Sequence, residues 1–460
     1  MNKRPRIISI AGPSGVGKTT LARVIASALP WGKSRIISGD AFHKWERGHA
    51  QWKTYTHLNP LANDLAGARD TLRALRDGRA VFLREYNHHC GVFEEPQLIR
   101  PTEVIIYEGL HAFYDKEVSE LADVKIYVDT HPSFTREWKL ARDVSSRGYT
   151  EEEVERELER RREDQRLYVE PMKEAANMTA RFIKTRSGAI KLSLDKVLGL
   201  DIEKAFGALS DFLEMVRQLA SEPSLVQGAG GNFSVKYGDK FIIKASGCKI
   251  SEINGENGYV ICQRVGRNAK MDESAYERFI ADSLFHGGKR PSMELGLHAV
   301  LPERVVLHTH PTYLNAILCA QGGKEIIESM FDGKWVDYVA PGHELYNVIS
   351  HSGKGRVWFL QNHGLIVTGG SASEVVTKTN TINNRCKKWL SSRSNNLAFH
   401  EKGGSGALFP DAVVYPDAMQ PINELILGMI TAAGLRPKFL TDSEKEAIMG
   451  LAAEKYRITS

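Results

Sequence analysis

Gly12-Pro13-Ser14-Gly15-Val16-Gly17-Lys18-Thr19 follows directly on the apolar run Ile7-Ile8-Ser9-Ile10-Ala11, and this junction constrains the chain more than any other feature. The apolar run reads as a buried strand. Beyond the loop, Leu21, Val24, Ile25 and Ala28 recur at helical spacing. Strand, glycine-rich turn and helix in that order bring backbone N–H groups at a helix N-terminus around an anion. Gly12, Ser14, Gly15 and Gly17 shape the turn, and Lys18 can reach the β- and γ-phosphates. The hydroxyl of Thr19, with Thr20 beside it, suits Mg²⁺. A lysine in a chance glycine-rich turn would come without the flanking strand and helix. The reading is a nucleoside triphosphate site, with ATP and Mg²⁺ as the expected occupants.

At 460 residues the chain exceeds one ordinary core, so two domains are expected. A net charge of +5 with scattered basic residues gives no stripe for a nucleic acid, and none is expected as a partner. No apolar run is long enough to span a bilayer, so a membrane partner is not expected either. Cys90, Cys248, Cys262, Cys319 and Cys386 form no CxxC pair, which fits a reducing compartment. Met1-Asn2-Lys3-Arg4-Pro5-Arg6 leads into the first strand with no room for a signal peptide, so a cytoplasmic location is expected.

Residues 1 to about 195 alternate strand-like and helix-like segments, with candidate strands at Ile7–Ala11, Ile36–Ser38, Val104–Tyr107 and Lys125–Val128. That alternation predicts a parallel sheet with helices on both faces. Thr150-Glu151-Glu152-Glu153 opens a highly charged helix reaching about Arg166, in a capping-box pattern. From about Asp201 the pattern changes. A helix over Ile202–Ser221 precedes a hairpin with arms Phe233–Tyr237 and Phe241–Lys244 around Gly238-Asp239. Strands at Arg304–Leu307 and Val357–Leu360 and a helix over Ser373–Trp389 follow. The expected domains are therefore 1–198 and 199–460, with residues 401–406 a flexible link to a mainly helical tail.

In the first domain, Ser38-Gly39-Asp40-Ala41-Phe42-His43-Lys44 places Asp40 at a strand's carboxyl end, where ligands collect in parallel sheets. A carboxylate there can take the proton from an attacking hydroxyl. Glu108 ends another buried strand and can hold Mg²⁺ directly or through water. Each acid alone reads equally well as a strand-end cap; the neighbouring phosphate loop favours chemistry. Thr56-His57-Leu58-Asn59-Pro60-Leu61-Ala62-Asn63, Tyr86-Asn87-His88 and Glu108-Gly109-Leu110-His111-Ala112-Phe113-Tyr114 follow in order. On these motifs the first domain resembles the phosphoribulokinase and uridine kinase family. The resemblance implies Asp40 as general base, Lys18 on the phosphates and Glu108 on the magnesium side. It implies that Arg142-Asp143 with Arg147-Gly148 forms a lid, Arg142 bringing charge to the transferring phosphoryl group. His43, Arg47, His57, Tyr86 and His88, with Lys44, form the acceptor side, a basic set suited to a phosphorylated or carboxylated acceptor. Gln51-Trp52-Lys53-Thr54-Tyr55 departs from a carbon-fixation kinase, so ribulose 5-phosphate is not the expected acceptor.

In the second domain, His308-Thr309-His310 closes the strand Arg304-Val305-Val306-Leu307. Alternation points both imidazoles to one face, where two nitrogens can meet one metal. His363 follows Val357-Trp358-Phe359-Leu360, and Glu294 lies upstream. Three histidines leave an open position, the pattern of a catalytic zinc site. A lone His-x-His reads as a solvent-facing strand; the third histidine and the glutamate change that reading. Gly230-Gly231-Asn232-Phe233-Ser234, Lys244-Ala245-Ser246-Gly247, Pro291-Ser292-Met293-Glu294, His298 and Asn362-His363-Gly364-Leu365 complete a resemblance to the class II aldolase and adducin-head family over roughly residues 205–395. It implies Zn²⁺ on His308, His310 and His363 with Glu294 at the same ion. It also implies Glu294 as the acid/base at a hydroxyketone, and Asn232, Ser246, Gly247 and Ser292 as a phosphate pocket. A homotetramer is implied too. Leu408-Phe409-Pro410-Asp411 and Glu454-Lys455-Tyr456-Arg457 resemble a subgroup with longer C-termini.

The expected fold class is α/β: a P-loop kinase with a parallel sheet, then a class II aldolase-like domain with a mainly antiparallel sheet. The expected function is a bifunctional sugar enzyme, phosphorylating a small sugar or sugar derivative with ATP and making or breaking a carbon–carbon bond with zinc. Epimerisation, dehydration or decarboxylation by the second domain, or a purely oligomerising or sensing role for it, remain open on the sequence.

Overall fold

The computed structural model describes residues 4–88, 90–147, 149–185, 190–255, 257–264, 270–393 and 406–451, apart from the side chains at 141, 142 and 145–147. Two compact units divide the chain, Met1–Gly207 and Ala208–Ser460. The division falls inside a helix, Ile202–Ala220, that begins where the sequence placed it.

In the first unit, strands β1 (Arg6–Ala11), β2 (Ser34–Ser38), β3 (Val104–Glu108), β4 (Val124–Val128), β5 (Met178–Lys184) and β6 (Ile190–Ser193) form one sheet in the order β6-β5-β4-β1-β3-β2. All neighbours are parallel except β6, which turns back antiparallel on β5 at the edge. Apolar runs such as Ile7-Ile8 and Ile105-Ile106 are fully buried, as strands covered on both faces require. Leu72 and Leu75, in the helix Leu65–Arg76, join Ile7, Ile105 and Tyr107 in the core. The register sets Ser38 beside Glu108, bringing the ends of β2 and β3 together at the carboxyl edge. The helix Glu151–Arg160 opens with the expected capping box, Thr150 bonding the Glu153 N–H and Glu153 bonding back to Thr150. It stops at Arg160 instead of Arg166, and Gln165–Val169 winds into a π-helical turn.

The second unit holds strands β7 (Asn232–Tyr237), β8 (Lys240–Lys244), β9 (Tyr259–Gln263), β10 (Leu284–His286), β11 (Val305–Thr309), β12 (Lys334–Val336), β13 (Val357–Leu360) and β14 (Gly364–Gly369). They form a sheet in the order β10-β9-β8-β7-β11-β14-β13-β12, antiparallel throughout save the β12–β13 edge pair. Asn232 faces His308 across the β7–β11 ladder, and Thr309 faces Leu365 across β11–β14. The start of β7, the end of β11 and the start of β14 therefore share one end of the sheet, and the candidate metal residues gather there. Among the described residues, no helix is long and apolar enough to cross a membrane.

One buried cation lies away from that end. Lys236 on β7 donates to the Glu303 carbonyl at 2.7 Å, and burial, with Arg264 next, lowers its pKa to about 7. Between that value and the ordinary 10.5, the unfolded chain holds a proton that the folded chain lacks. Lys236 therefore makes stability rise with pH through that window. Denaturant unfolding from pH ~7 to ~9 is expected to show this rise in the wild type and a shallower one in Lys236→Met. Equal slopes would remove the assignment.

Candidate active sites

The phosphate loop runs from the end of β1 into helix α1 (Lys18–Ser27). Gly17 sits at φ +99°, and a Cβ there would lie 2.5 Å from the Phe182 ring, so glycine is required for both conformation and space. No side chain caps α1, which leaves its first N–H groups directed at the loop's concavity. Lys18 Nζ donates to the carbonyls of Gly12 at 3.0 Å and Pro13 at 2.8 Å, so its ammonium lies over the loop. Thr19 Oγ1 donates to Glu108 Oε1 at 3.1 Å. Burial raises the pKa of Glu108, and nearby Lys18 and the Thr19 hydroxyl work against that rise. A hydroxyl and a carboxylate in contact beside the loop are a fitting pair for Mg²⁺.

Asp40 follows β2 in a short 3₁₀ turn. Its carboxylate contacts His43 Nε2 at 3.2 Å and His88 Nε2 at 2.8 Å. The Asn63 amide fixes the protonation of His43. Its Nδ2 donates to the carbonyls of His57 and Asn59, so its Oδ1 accepts from His43 Nδ1 at 2.8 Å. With Nδ1–H committed to Asn63, His43 can bond Asp40 only through a second proton on Nε2. The pKa directions agree. Burial would raise Asp40, yet the bonds and charge of His43 and His88 hold it well below its ordinary value. Asp40 in turn overcomes burial and raises His43.

Other acceptor-side residues differ from the expected cationic set. His57 stacks on Trp52 with ring centres 3.9 Å apart and accepts from Arg161 Nη2 at 3.0 Å. Burial, with Arg161 next, lowers its pKa to about 2, so it is a neutral acceptor and not a cationic donor. Arg47 turns its guanidinium to the His88 carbonyl at 2.6 Å and to the Tyr149 ring. Tyr86 packs between His43 and His88. Arg142 and Arg147, with Gly148, lie outside the described side chains. Their helix, α2 (Pro132–Arg147), instead shows a cation the sequence reading passed over. Lys139 pairs with Asp143 at 3.7 Å in a buried setting, and a Cβ on Gly15 would lie 3.2 Å from the Lys139 Cβ. The i,i+4 spacing was its only sequence signal.

In the second unit, His308, His310 and His363 present nitrogens that all lie within 4.8 Å of one another. Gly364 permits this closeness, since a Cβ there would come within 2.3 Å of the Thr309 carbonyl. His308 Nδ1 bonds the Leu365 carbonyl at 3.1 Å and His310 Nδ1 bonds Asp411 Oδ2 at 2.7 Å. Those acceptors place a proton on each Nδ1 and leave the two Nε2 atoms facing each other at 3.1 Å. A proton or a metal ion between the two nitrogens accounts for that approach. Glu294 Oε2 is 3.4 Å from His308 Nε2, and Oε1 is 3.5 Å from His363 Nε2 with no hydrogen-bond partner. Burial keeps His308 and His363 neutral, His363 down to about 3. Burial would raise Glu294; His308 and His363 pull it down only when protonated, and at neutral pH the Asn232 N–H bond favours the ionised carboxylate. Neutral imidazoles, an ionised carboxylate and an orphaned buried oxygen fit a zinc ion.

Asn232 donates to Glu294 Oε2 at 2.6 Å, and its Oδ1 contacts His298 Nε2 at 2.5 Å. His298 Nδ1 contacts Ser234 Oγ at 2.8 Å. The Asn232 amide, expected at a phosphate, is thus occupied in orienting Glu294. Asn232, Ser246, Gly247 and Ser292 all line one pocket together with Glu294, His310 and His363. The sequence motif gives His298 no role of its own. Asp411 had no local signal, since 101 residues separate it from His310.

Residues 7–187 match the Phosphoribulokinase / Uridine kinase family. A uridine kinase of Halalkalibacterium halodurans is 31% identical over 210 residues, which cover 45% of this chain and 99% of that enzyme. The chain belongs to the phosphoribulokinase and uridine kinase family. A phosphoribulokinase of Synechocystis sp. is 31% identical over 180 residues, covering 39% of this chain and 54% of that protein. The chain thus spans about half the length of the curated phosphoribulokinases it matches. Residues 210–390 match the Class II Aldolase and Adducin N-terminal domain. The solved N-terminal class II aldolase domain of a conserved protein from Thermoplasma acidophilum is similar at 23% identity and a TM-score of 0.35, over 40% of this chain and 93% of that one. A family kinase domain and a class II aldolase-like domain therefore share one polypeptide.

Proposed function

We propose that the chain is a bifunctional sugar enzyme: an ATP-dependent kinase for a small sugar or sugar derivative, joined to a zinc-dependent aldolase acting on a sugar or its phosphate. The observation that carries this reading is the presence of two complete sets of reacting groups, Asp40 with the Lys18 loop and Glu294 with three converging histidines. In the first, Lys18 and the loop amides hold the ATP phosphates, Thr19 and Glu108 hold Mg²⁺, and Arg142 adds charge at the transferring group. Asp40, held ionised by two imidazoles, receives the acceptor hydroxyl's proton. In the second, His308, His310 and His363 hold Zn²⁺. When bound there, zinc supplies Lewis-acid polarisation of substrate oxygens. Glu294 moves the proton at the hydroxyl, its carboxylate aimed by Asn232 and His298. Asn232, Ser246, Gly247 and Ser292 edge the same pocket, and a substrate phosphate would be anchored there.

A phosphate added by the first domain would give the second its anchor, so phosphorylation before cleavage is the preferred order. Domain limits of 1–198 and 199–460, a homotetramer and a cytoplasmic location complete the reading; the five cysteines, all free, are in keeping with the last. The test is a screen of ATP consumption against sugars and sugar phosphates, with products identified by mass spectrometry. Lys18→Ala is expected to abolish ADP formation and His363→Ala to abolish carbon–carbon cleavage only. Wild-type phosphorylation by Lys18→Ala would sink the kinase half. A His363→Ala enzyme that still cleaves would sink the other.

A further inference from the structure

We infer that the polypeptide beyond the class II aldolase match is a working part of the metal site, with Asp411 as the positioning residue for His310. The inference rests on the metal reading above. The family match ends at residue 390, yet Asp411, in helix α3 (Pro410–Val414), brings a buried carboxylate oxygen to 2.7 Å from His310 Nδ1. That bond fixes the tautomer, turns Nε2 toward His308 and His363, and makes the imidazole a stronger donor. The three histidines are not supported alike. His308 has only a backbone carbonyl behind it, and His363 Nδ1 has no hydrogen-bond partner. Among the described residues His310 alone is backed by a carboxylate, so Asp411 adds the second anionic group after Glu294 at a place meant for a dication.

The contact is anchored from both sides. Asn362, beside the ligand His363 and in left-handed backbone at φ +51°, donates Nδ2 to the Leu408 carbonyl at 2.8 Å and to the Lys438 carbonyl at 2.6 Å. The ligand turn itself therefore holds the segment that carries Asp411. Leu408 N donates to Asn423 Oδ1 at 3.0 Å, tying the segment's start to the helix Pro416–Ala432. Residue 230 leaves the room, because a Cβ there would lie 2.4 Å from Asp411 Oδ2 and 3.0 Å from His310 Nδ1.

The test titrates the full chain with cobalt(II), read by its visible d–d bands, and with zinc in competition with a chelating dye. Asp411→Asn keeps the shape but replaces an anionic acceptor with an amide. It is expected to weaken both metals by about 10–100-fold and to shift the cobalt bands, with Asp411→Glu falling between it and the wild type. Metal-free melting of each variant reports whether the fold is intact. Should Asp411→Asn melt early, Gly230→Ala serves instead, since its methyl pushes the carboxylate off His310 while leaving Asp411 in the chain; the same loss of affinity is expected. Wild-type affinity and unshifted bands in the variant tested overturn the inference alone. A wild-type chain that takes up no cobalt or zinc overturns the metal reading and this inference with it.

Discussion

Asp40→Asn is expected to lower the rate of phosphoryl transfer by about 10²–10⁴-fold, with the KM for ATP nearly unchanged. The substitution keeps size and shape but removes the only anion between two imidazoles. His43 arrives as a donor on Nε2, because its Nδ1 proton is committed to Asn63, and His88 Nε2 approaches the other oxygen at 2.8 Å. An asparagine must turn its own NH₂ toward one of these donors, so the variant loses the base and loosens the groups around it. The phosphate loop belongs to α1 and does not touch Asp40 through any of these bonds, so ATP should still bind. The depressed pKa of Asp40 has a kinetic corollary. The carboxylate stays ionised throughout the neutral range, so activity there should not follow its titration; a limb near neutrality would come from His43 instead. Steady-state ADP release with the acceptor found by the screen measures the effect. A full-rate Asp40→Asn enzyme would show that positioning and charge alone carry the transfer.

What the sequence made legible was what chain-local chemistry encodes. The loop Gly12–Thr19 announces itself because strand, turn and helix must be contiguous for the amides to converge. The His308/His310 pair is legible because strand alternation is geometric, and His363 because it follows an apolar strand within a short turn. The antiparallel return of β6 left no trace, since Ile190–Ser193 is too short and mixed to declare its direction. Charge state was also hidden. His57 reads as a basic loop residue, but a stacked Trp52 and a guanidinium on Nδ1 make it a neutral acceptor. Asn232 reads as a phosphate ligand by motif, and the register that sets it against His308 gives its amide further bonds to Glu294 and His298 that the motif did not show. Both outcomes depend on partners at least 62 residues away or on neighbours whose facing no periodicity specifies. Lys139 and Asp411 fall in the same class, as residues whose meaning is supplied by what packs on them.

His308→Ala is expected to abolish stoichiometric metal binding, and with it carbon–carbon cleavage, while phosphoryl transfer by the first unit stays at the wild-type rate. The loss should exceed the roughly 10–100-fold that removing an outer-shell partner costs, because a ligand itself is gone. The stability signature differs between the two metal states. Alanine at 308 leaves a cavity where a fully buried ring stood, so the metal-free variant should melt earlier than the metal-free wild type. With zinc present, only the wild type gains the mass-action stabilisation of a ligand that binds the native state. Thermal melts of both proteins with zinc and with a chelator give four temperatures. The reading requires a zinc-dependent rise in the wild type that is absent in His308→Ala. Equal rises in the two proteins would mean that zinc binds elsewhere, and the three imidazoles would then be a neutral cluster closing the end of the sheet.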